Sequence, residues 1–209
     1  MGRGVFLWNR LAKRYSLLPI ADQASYERKL EITRKYFTPE SEVLEIGCGT
    51  GSTALLHAPY VKHIHAIDYA GNMIDIANDK LKKEKITNVT FAVDEIENLA
   101  SQKQQYDVVL ALNIIHLLED KETALRNIHS LLKPGGYFIS STACLERVPW
   151  IVHVLLKVVG LLGLAPRLKP FSEQQLLDSV NTAGFTKVEQ WNPDSKMTVV
   201  FLVAQKPKG

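Results

Sequence analysis

The chain has only two cysteines in 209 residues, Cys48 and Cys144, and neither belongs to a CxxC pair or stands beside a histidine at ligand spacing. That argues against a disulfide framework and against a structural zinc site, and no metal is expected. An excess of one charge is missing too. With 25 basic against 22 acidic side chains the net charge is +3, too small a field to point to nucleic acid as a partner. A run long enough to cross a bilayer is also absent: the most apolar stretch, residues 150–165, falls short of the roughly 20 residues a span needs and is interrupted by His153, Lys157 and two glycines. At the N-terminus, charges return at Arg10, Lys13 and Arg14 before a signal-peptide core can form, and Phe6 stands where a myristoylation signal would have Ser or Thr. A cytoplasmic enzyme is the simplest expectation.

What remains is ordinary for a globular α/β chain, with 46% hydrophobic and 22% charged residues and a length suited to one domain over residues 1–209. The most informative stretch is Val43 to Gly51, an apolar run ending in Glu45 and Ile46 and followed by Gly47, Gly49 and Gly51 around Cys48. It reads as a buried strand entering a sharp turn where the main chain passes close to a ligand or folds as a plain tight loop. Ser52 to His57 then starts a helix whose N–H groups point back at the loop. The strand at residues 63–68 ends in Asp68, 21 positions after Gly47. That is the spacing at which a βαβ unit brings a carboxylate to ribose hydroxyls, although a surface turn or helix cap is the plainer reading.

The alternation continues along the chain. A helix is expected over residues 71–83 with Met73, Ile74 and Ala77 inward, then strands at 89–93 and 106–112, a helix at 121–132, a strand at 137–142 and a helix at 172–183 opening on Ser172. Two last strands follow at 185–191 and 197–204, and Pro134-Gly135-Gly136 reads as a turn. Glu45, Asp68, Asp94 and Asn113 all stand at C-terminal strand ends, where open parallel sheets bind ligands. Ahead of the sheet, residues 5–37 read as two helices separated by Pro19, the first with apolar Phe6, Leu7, Leu11 and Tyr15. Residues 1–38 serve either as a lid over a pocket or as packing on the sheet edge.

Taken together, Leu44-Glu45-Ile46-Gly47-Cys48-Gly49-Thr50-Gly51, Ile67-Asp68 with Met73, Asp94, Tyr106-Asp107-Val108-Val109, Leu132-Lys133-Pro134-Gly135-Gly136 and Ala183-Gly184-Phe185 follow a known order. The chain resembles the class I S-adenosylmethionine-dependent methyltransferases, of the small-molecule, ubiquinone- and menaquinone-methyltransferase-like kind. The resemblance implies a Rossmann-like αβα sandwich with a seven-stranded, mostly parallel sheet and an antiparallel last strand. It implies S-adenosylmethionine as cofactor, with Glu45 and the turn Gly47, Cys48, Gly49 and Gly51 on its methionyl part, Asp68 and Tyr69 with Met73 near the ribose, and Asp94, Glu95 and Ile96 at the adenine. Leu112 and Asn113 would stand nearest the methyl, and Tyr15 would close over the cofactor carboxylate. The physical chemistry agrees: a sulfonium and an ammonium favour carboxylates, and no GK[ST] follows the glycines.

Methyl transfer needs alignment first and a base only when the nucleophile arrives protonated. His116, three residues past Asn113, is the candidate base or a packing residue at the rim, and Tyr15 is the other catalytic candidate. After the fourth strand, Asn113-Ile114-Ile115-His116 departs from the [ND]PP[YF] of enzymes that methylate bases or glutamines. Residues 145–171 form an apolar insertion that reads as a cover over a small, apolar acceptor, as a membrane-surface contact, or as helices packed on the sheet or on a second subunit. Protein methylation and non-catalytic cofactor binding are the alternative functions.

Overall fold

The short apolar runs become strands buried on both faces, as parallel strands covered by helices on both sides require. In the computed structural model, which describes residues 3–99, 105–144, 170–193 and 198–209, the strands are β1 (Glu42–Ile46), β2 (His63–Asp68), β3 (Val89–Val93), β4 (Tyr106–Leu112), β5 (Leu132–Cys144), β6 (Thr186–Trp191) and β7 (Thr198–Gln205). Among the described residues they form one seven-stranded sheet in the order β3-β2-β1-β4-β5-β7-β6. β7 runs antiparallel between β5 and β6, and the other pairings among β1 to β5 are parallel. This is the expected Rossmann-like sandwich.

The helices are α1 (Arg3–Ser16), α2 (Gln23–Arg34), α3 (Ser52–His57), α4 (Gly71–Glu84), α5 (Ile96–Leu99), α6 (Lys121–Leu131) and α7 (Glu173–Thr182). Alternate side chains of each strand feed two cores. Leu44, Val109, Phe138 and Leu202 meet Leu125 and Ile128 of α6 and Leu176 of α7 on one face. Val43, Leu110, Ile139 and Phe201 meet α2, α3 and α4 on the other. Asp22, Asp120 and Ser172 accept N-cap hydrogen bonds at the starts of α2, α6 and α7. Among the described residues no helix is long and apolar enough to cross a membrane.

Two features differ from the sequence expectations. Pro134-Gly135-Gly136 is no turn between elements but lies inside β5, whose register with β4 jumps from Tyr106–Leu132 to Val108–Tyr137. The chain end makes this possible, because Gly135 N donates to Lys206 O and Lys206 N donates to Gly136 O, each at 2.9 Å. A Cβ on Gly136 would lie 2.9 Å from the carbonyl oxygens of Asp107 and Lys133, so only glycine fits the bulge. Next to it, Lys133 Nζ bonds both oxygens of Asp107 at 2.9 and 2.8 Å, and Asp107 Oδ2 accepts from Glu42 N at 2.9 Å. Two sequence motifs thus tie β1, β4 and β5 together at the sheet end opposite the glycine turn.

The second difference concerns α1. Its buried residues are Leu7 and Ala12, of which Ala12 packs with Ala70 and Met73, while Phe6 is 72% exposed. The apolar spacing of the helix allowed more than one face, and the pair of hydrogen bonds between Asn9 and Asn72 selects this one.

Gly51 tests the glycine turn. It has φ +76°, and a Cβ there would meet Phe91 Cζ at 2.6 Å and Ala77 Cβ at 2.8 Å. Gly51→Ala is expected to cost about 3 kcal/mol from backbone strain plus overpacking, while Gly49→Ala, which meets only Tyr15 at 3.9 Å, costs about 1 kcal/mol. Urea unfolding midpoints check the order.

Candidate functional site

After β1 the chain turns through Gly47, Gly49 and Gly51, which all take positive φ. Cys48 N donates to Ile67 O at 3.0 Å, which holds the turn against β2. The Asp68 carboxylate completes the fastening: Oδ2 accepts from Gly49 N and Oδ1 from Ala70 N, both at 2.9 Å. Burial pushes the Asp68 carboxyl up, and these two amides pull it back toward the ionised form. Each oxygen keeps a further lone pair for a hydroxyl donor.

Beside the turn lies a cavity of about 410 Å³, bounded by Tyr15 and the loop after it, by α2, by Glu45 and the glycines, and by Leu112, Asn113 and Ser141. Glu45 is 3% exposed, and its Oε2 has no hydrogen-bond partner among the described residues. Burial without a compensating cation pushes this carboxyl up to about 8. Across the cavity Lys29 Nζ donates to Ser141 Oγ at 2.9 Å, and Ser141 Oγ donates to Asn113 Oδ1 at 3.3 Å. Burial lowers the pKa of Lys29, and among the described residues no carboxylate lies within ion-pair distance of it. Asn113 sits at φ +61° with its N–H on Ser141 O at 2.7 Å, so the end of β4 is fixed to β5 where it meets the cavity.

Tyr15 stands over the glycine turn, edge-on to Trp8 at 6.0 Å between ring centres. Burial and the Asp68 charge raise its phenol. The structure therefore gathers Tyr15, Glu45, Gly47, Cys48, Gly49, Leu112 and Asn113 around one cavity. Gly51, Asp68, Tyr69, Met73, Asp94, Glu95 and Ile96 are not among its lining residues. Asp68 and Asp94 stand at neighbouring strand ends, joined by Asp94 N donating to Asp68 O at 3.2 Å. Asp94 Oδ1 accepts from Glu95 N and Asn98 Nδ2 at 2.8 and 2.7 Å, and Ile96 is buried at the start of α5. Tyr69 approaches Gly4 of α1, and burial pushes its phenol up to about 12. Met73 lies buried beneath α1. His116 lies in the short turn Ile115–Leu117, off the cavity, with Nδ1 buried and without a partner, and burial lowers its pKa.

Sequence reasoning passed over Lys29 and Ser141. Lys29 had a signal, since Tyr26, Lys29, Leu30 and Thr33 repeat at helical spacing and all face the cavity. Ser141 was harder to single out, being the middle one of three buried hydroxyl residues, Ser140 to Thr142, near the end of its strand.

A family model described as a methyltransferase domain matches residues 37–190. The chain belongs to this methyltransferase family. The methyl donor of such domains is S-adenosylmethionine. An uncharacterized methyltransferase of Bacillus subtilis, YcgJ, is 26% identical over 73% of this chain and 61% of its own length. A demethylmenaquinone methyltransferase of Leptospira interrogans is 29% identical over 75% of this chain and 68% of its own. The matches thus span about two-thirds of the length of these curated relatives. Among solved structures, the N-methyltransferase NodS of Bradyrhizobium japonicum in complex with S-adenosylhomocysteine superposes with a TM-score of 0.72 at 19% identity, covering 96% of this chain and 99% of that one.

The cavity fits the donor's amino-acid end by its own chemistry. It offers one buried carboxyl group with an unpartnered oxygen and one half-buried ammonium that has no ion pair among the described residues and only the charge of Asp22 near it, the complement of a zwitterion. Because the folded protein holds the Glu45 proton more tightly than an unfolded chain does, this group costs stability as pH rises from about 4.5 to about 8. Glu45→Gln is therefore expected to raise the melting temperature of the cofactor-free protein above pH 8 while weakening S-adenosylmethionine binding. In the unsubstituted protein, cofactor affinity at Glu45 should increase with pH through the same window, with proton release. Differential scanning fluorimetry and calorimetry in two buffers of different ionisation enthalpy measure both.

Proposed function

We propose that this methyltransferase domain transfers a methyl group from S-adenosylmethionine to a small, lipophilic acceptor, and that residues 1–209 act as one unit with residues 1–38 as the cover. The observation that carries the reading is that a buried carboxyl group with an unpartnered oxygen, Glu45, and an ammonium bonded only to a hydroxyl, Lys29, face one cavity. Glu45 takes the cofactor ammonium and Lys29 its carboxylate. Gly47, Cys48 and Gly49 leave room for close approach, Asp68 keeps two lone pairs for ribose hydroxyls, and Asp94 with the amides of Glu95 and Ile96 receives the adenine. Bound S-adenosylmethionine supplies a methyl on a cationic sulfur, so the protein's task is alignment and exclusion of water.

Leu112 and Asn113, held by Ser141, form the wall beside the reacting group, and Tyr15 closes the other side. Leu18, Pro19 and Ile20 continue that wall with apolar surface. This favours an apolar acceptor, in keeping with a relative named for demethylmenaquinone. Burial lowers the pKa of His116, and its place off the cavity favours the packing role over that of a base. The insertion at 145–171, read as the acceptor cover, lies almost wholly outside the described residues.

Incubation with methyl-labelled cofactor and a cell extract split into lipid and water-soluble fractions tests the acceptor class. Label should enter the lipid fraction; label confined to water-soluble compounds or to a protein band overturns the reading. Lys29→Met should weaken S-adenosylhomocysteine binding about ten- to a hundredfold, the cost of one hydrogen-bonded charge. Since Lys29 is half-buried without an ion pair among the described residues, the variant's unfolding midpoint should hold or rise.

A further inference from the structure

Among the described residues the outward stripe of α1 stays in solvent. Ala12 packs with Ala70 and Met73 and Leu7 is buried, whereas Phe6, Arg10, Lys13 and Leu17 follow one another at helical spacing on an exposed side. Leu17 N donates to Arg14 O and Leu18 N to Tyr15 O, so the helical turn persists into the loop and the spacing holds. Large apolar side chains are left in water there: Phe6 is 72% exposed, Leu17 77%, Leu18 59% and Ile20 48%. Between them stand the exposed Arg10, Lys13 and Arg14, and residues 4–21 contain no acidic side chain. A solvated helix face ordinarily mixes charge signs and hides its phenylalanines. Exposed apolar groups flanked by cations alone are the complement of a surface that is anionic outside and apolar just beneath.

The position of the patch matters as much as its chemistry. Leu18, Pro19 and Ile20 belong both to this exposed surface and to the wall of the cofactor cavity. Apolar surface therefore runs without a break from the outside of α1 to the site of methyl transfer.

We propose that the outer face of α1 and the loop at residues 17–20 dock on an anionic lipid bilayer, and that the acceptor enters the cavity directly from that bilayer. Docking places the cavity mouth at the lipid boundary, so a lipophilic acceptor need not cross water. The entry route rests on the acceptor reading above; the docking itself does not.

The test uses the full chain and sedimentation with vesicles of equal parts phosphatidylglycerol and phosphatidylcholine, against vesicles of phosphatidylcholine alone. The protein should pellet with the first and stay in solution with the second, and salt should release it. Exchanging Arg10, Lys13 and Arg14 together for Gln should lower partitioning about a hundredfold, and Phe6→Ser with Leu17→Ser should lower it at least about tenfold. S-adenosylhomocysteine binding by calorimetry and helix content by circular dichroism should not change in either variant, because none of the five residues lines the cavity. Failure to pellet, equal binding to both vesicles, or undiminished binding by both variants overturns the proposal. Self-association in light scattering that the Phe6→Ser, Leu17→Ser variant abolishes also overturns it, in favour of a second copy as the occupant. Loss of cofactor binding in the unsubstituted protein would instead strike the methyltransfer reading and leave the vesicle result standing.

Discussion

The site depends on one fastening, the Asp68 carboxylate held between the amides of Gly49 and Ala70. A glycine turn with three positive φ angles has many conformations open to it, and its entropy must be removed before its amides can point anywhere useful. Asp68 does this from the neighbouring strand, with Cys48 N on Ile67 O as the second tie. The acid that reads in the sequence as a ribose ligand is therefore also part of the frame. The lone pairs left over are what it could offer a ligand, and removing the carboxylate would loosen the turn that it fastens.

The frame permits an arrangement that folding alone would not favour. Glu45 is buried and reaches a cavity where its Oε2 meets no partner among the described residues, and Lys29 approaches the same cavity with the Ser141 hydroxyl as its hydrogen-bond partner and only the Asp22 charge to favour it. Burial makes Glu45 hold its proton and weakens the hold of Lys29 on its own, and pairing the two directly would be the simplest relief. They form no ion pair; Lys29 is instead held by Ser141, which Asn113 holds in turn, and the strain falls on the empty state. A zwitterion bound between them would relieve both groups at once and so link binding to stability through the same two side chains.

Much of this was legible in the chain. The glycines, Glu45, Asp68, Asp94 and Asn113 announced themselves because strand ends and turns are written in short-range patterns. Lys29 and Ser141 were harder, since a lysine in a helix and a serine in a strand take their meaning from elements more than a hundred residues apart that the sheet brings together. Pro134-Gly135-Gly136 misled for a related reason. Local propensity says turn, and only the returning C-terminal segment, through Lys206, supplies the hydrogen bonds that keep it in β5. Likewise the apolar residues of α1 fit two faces, and the asparagine pair with α4 decides between them.

That pairing also says where the molecule opens. The sheet is closed by two large cores, each layered with helices, whereas α1 is held by a small cluster of Ala12, Ala70 and Met73 and by polar contacts between Asn9 and Asn72. Local opening costs least where the least apolar surface is buried, so α1 separates from α4 well before the strands part. Tyr15 belongs to the same helix and would leave the glycine turn with it. The segment ahead of the sheet thus combines weak attachment, a ring over the glycine turn and an outer face unlike any ordinary solvated helix. Whatever touches that outer face acts directly on the element that stands over the turn.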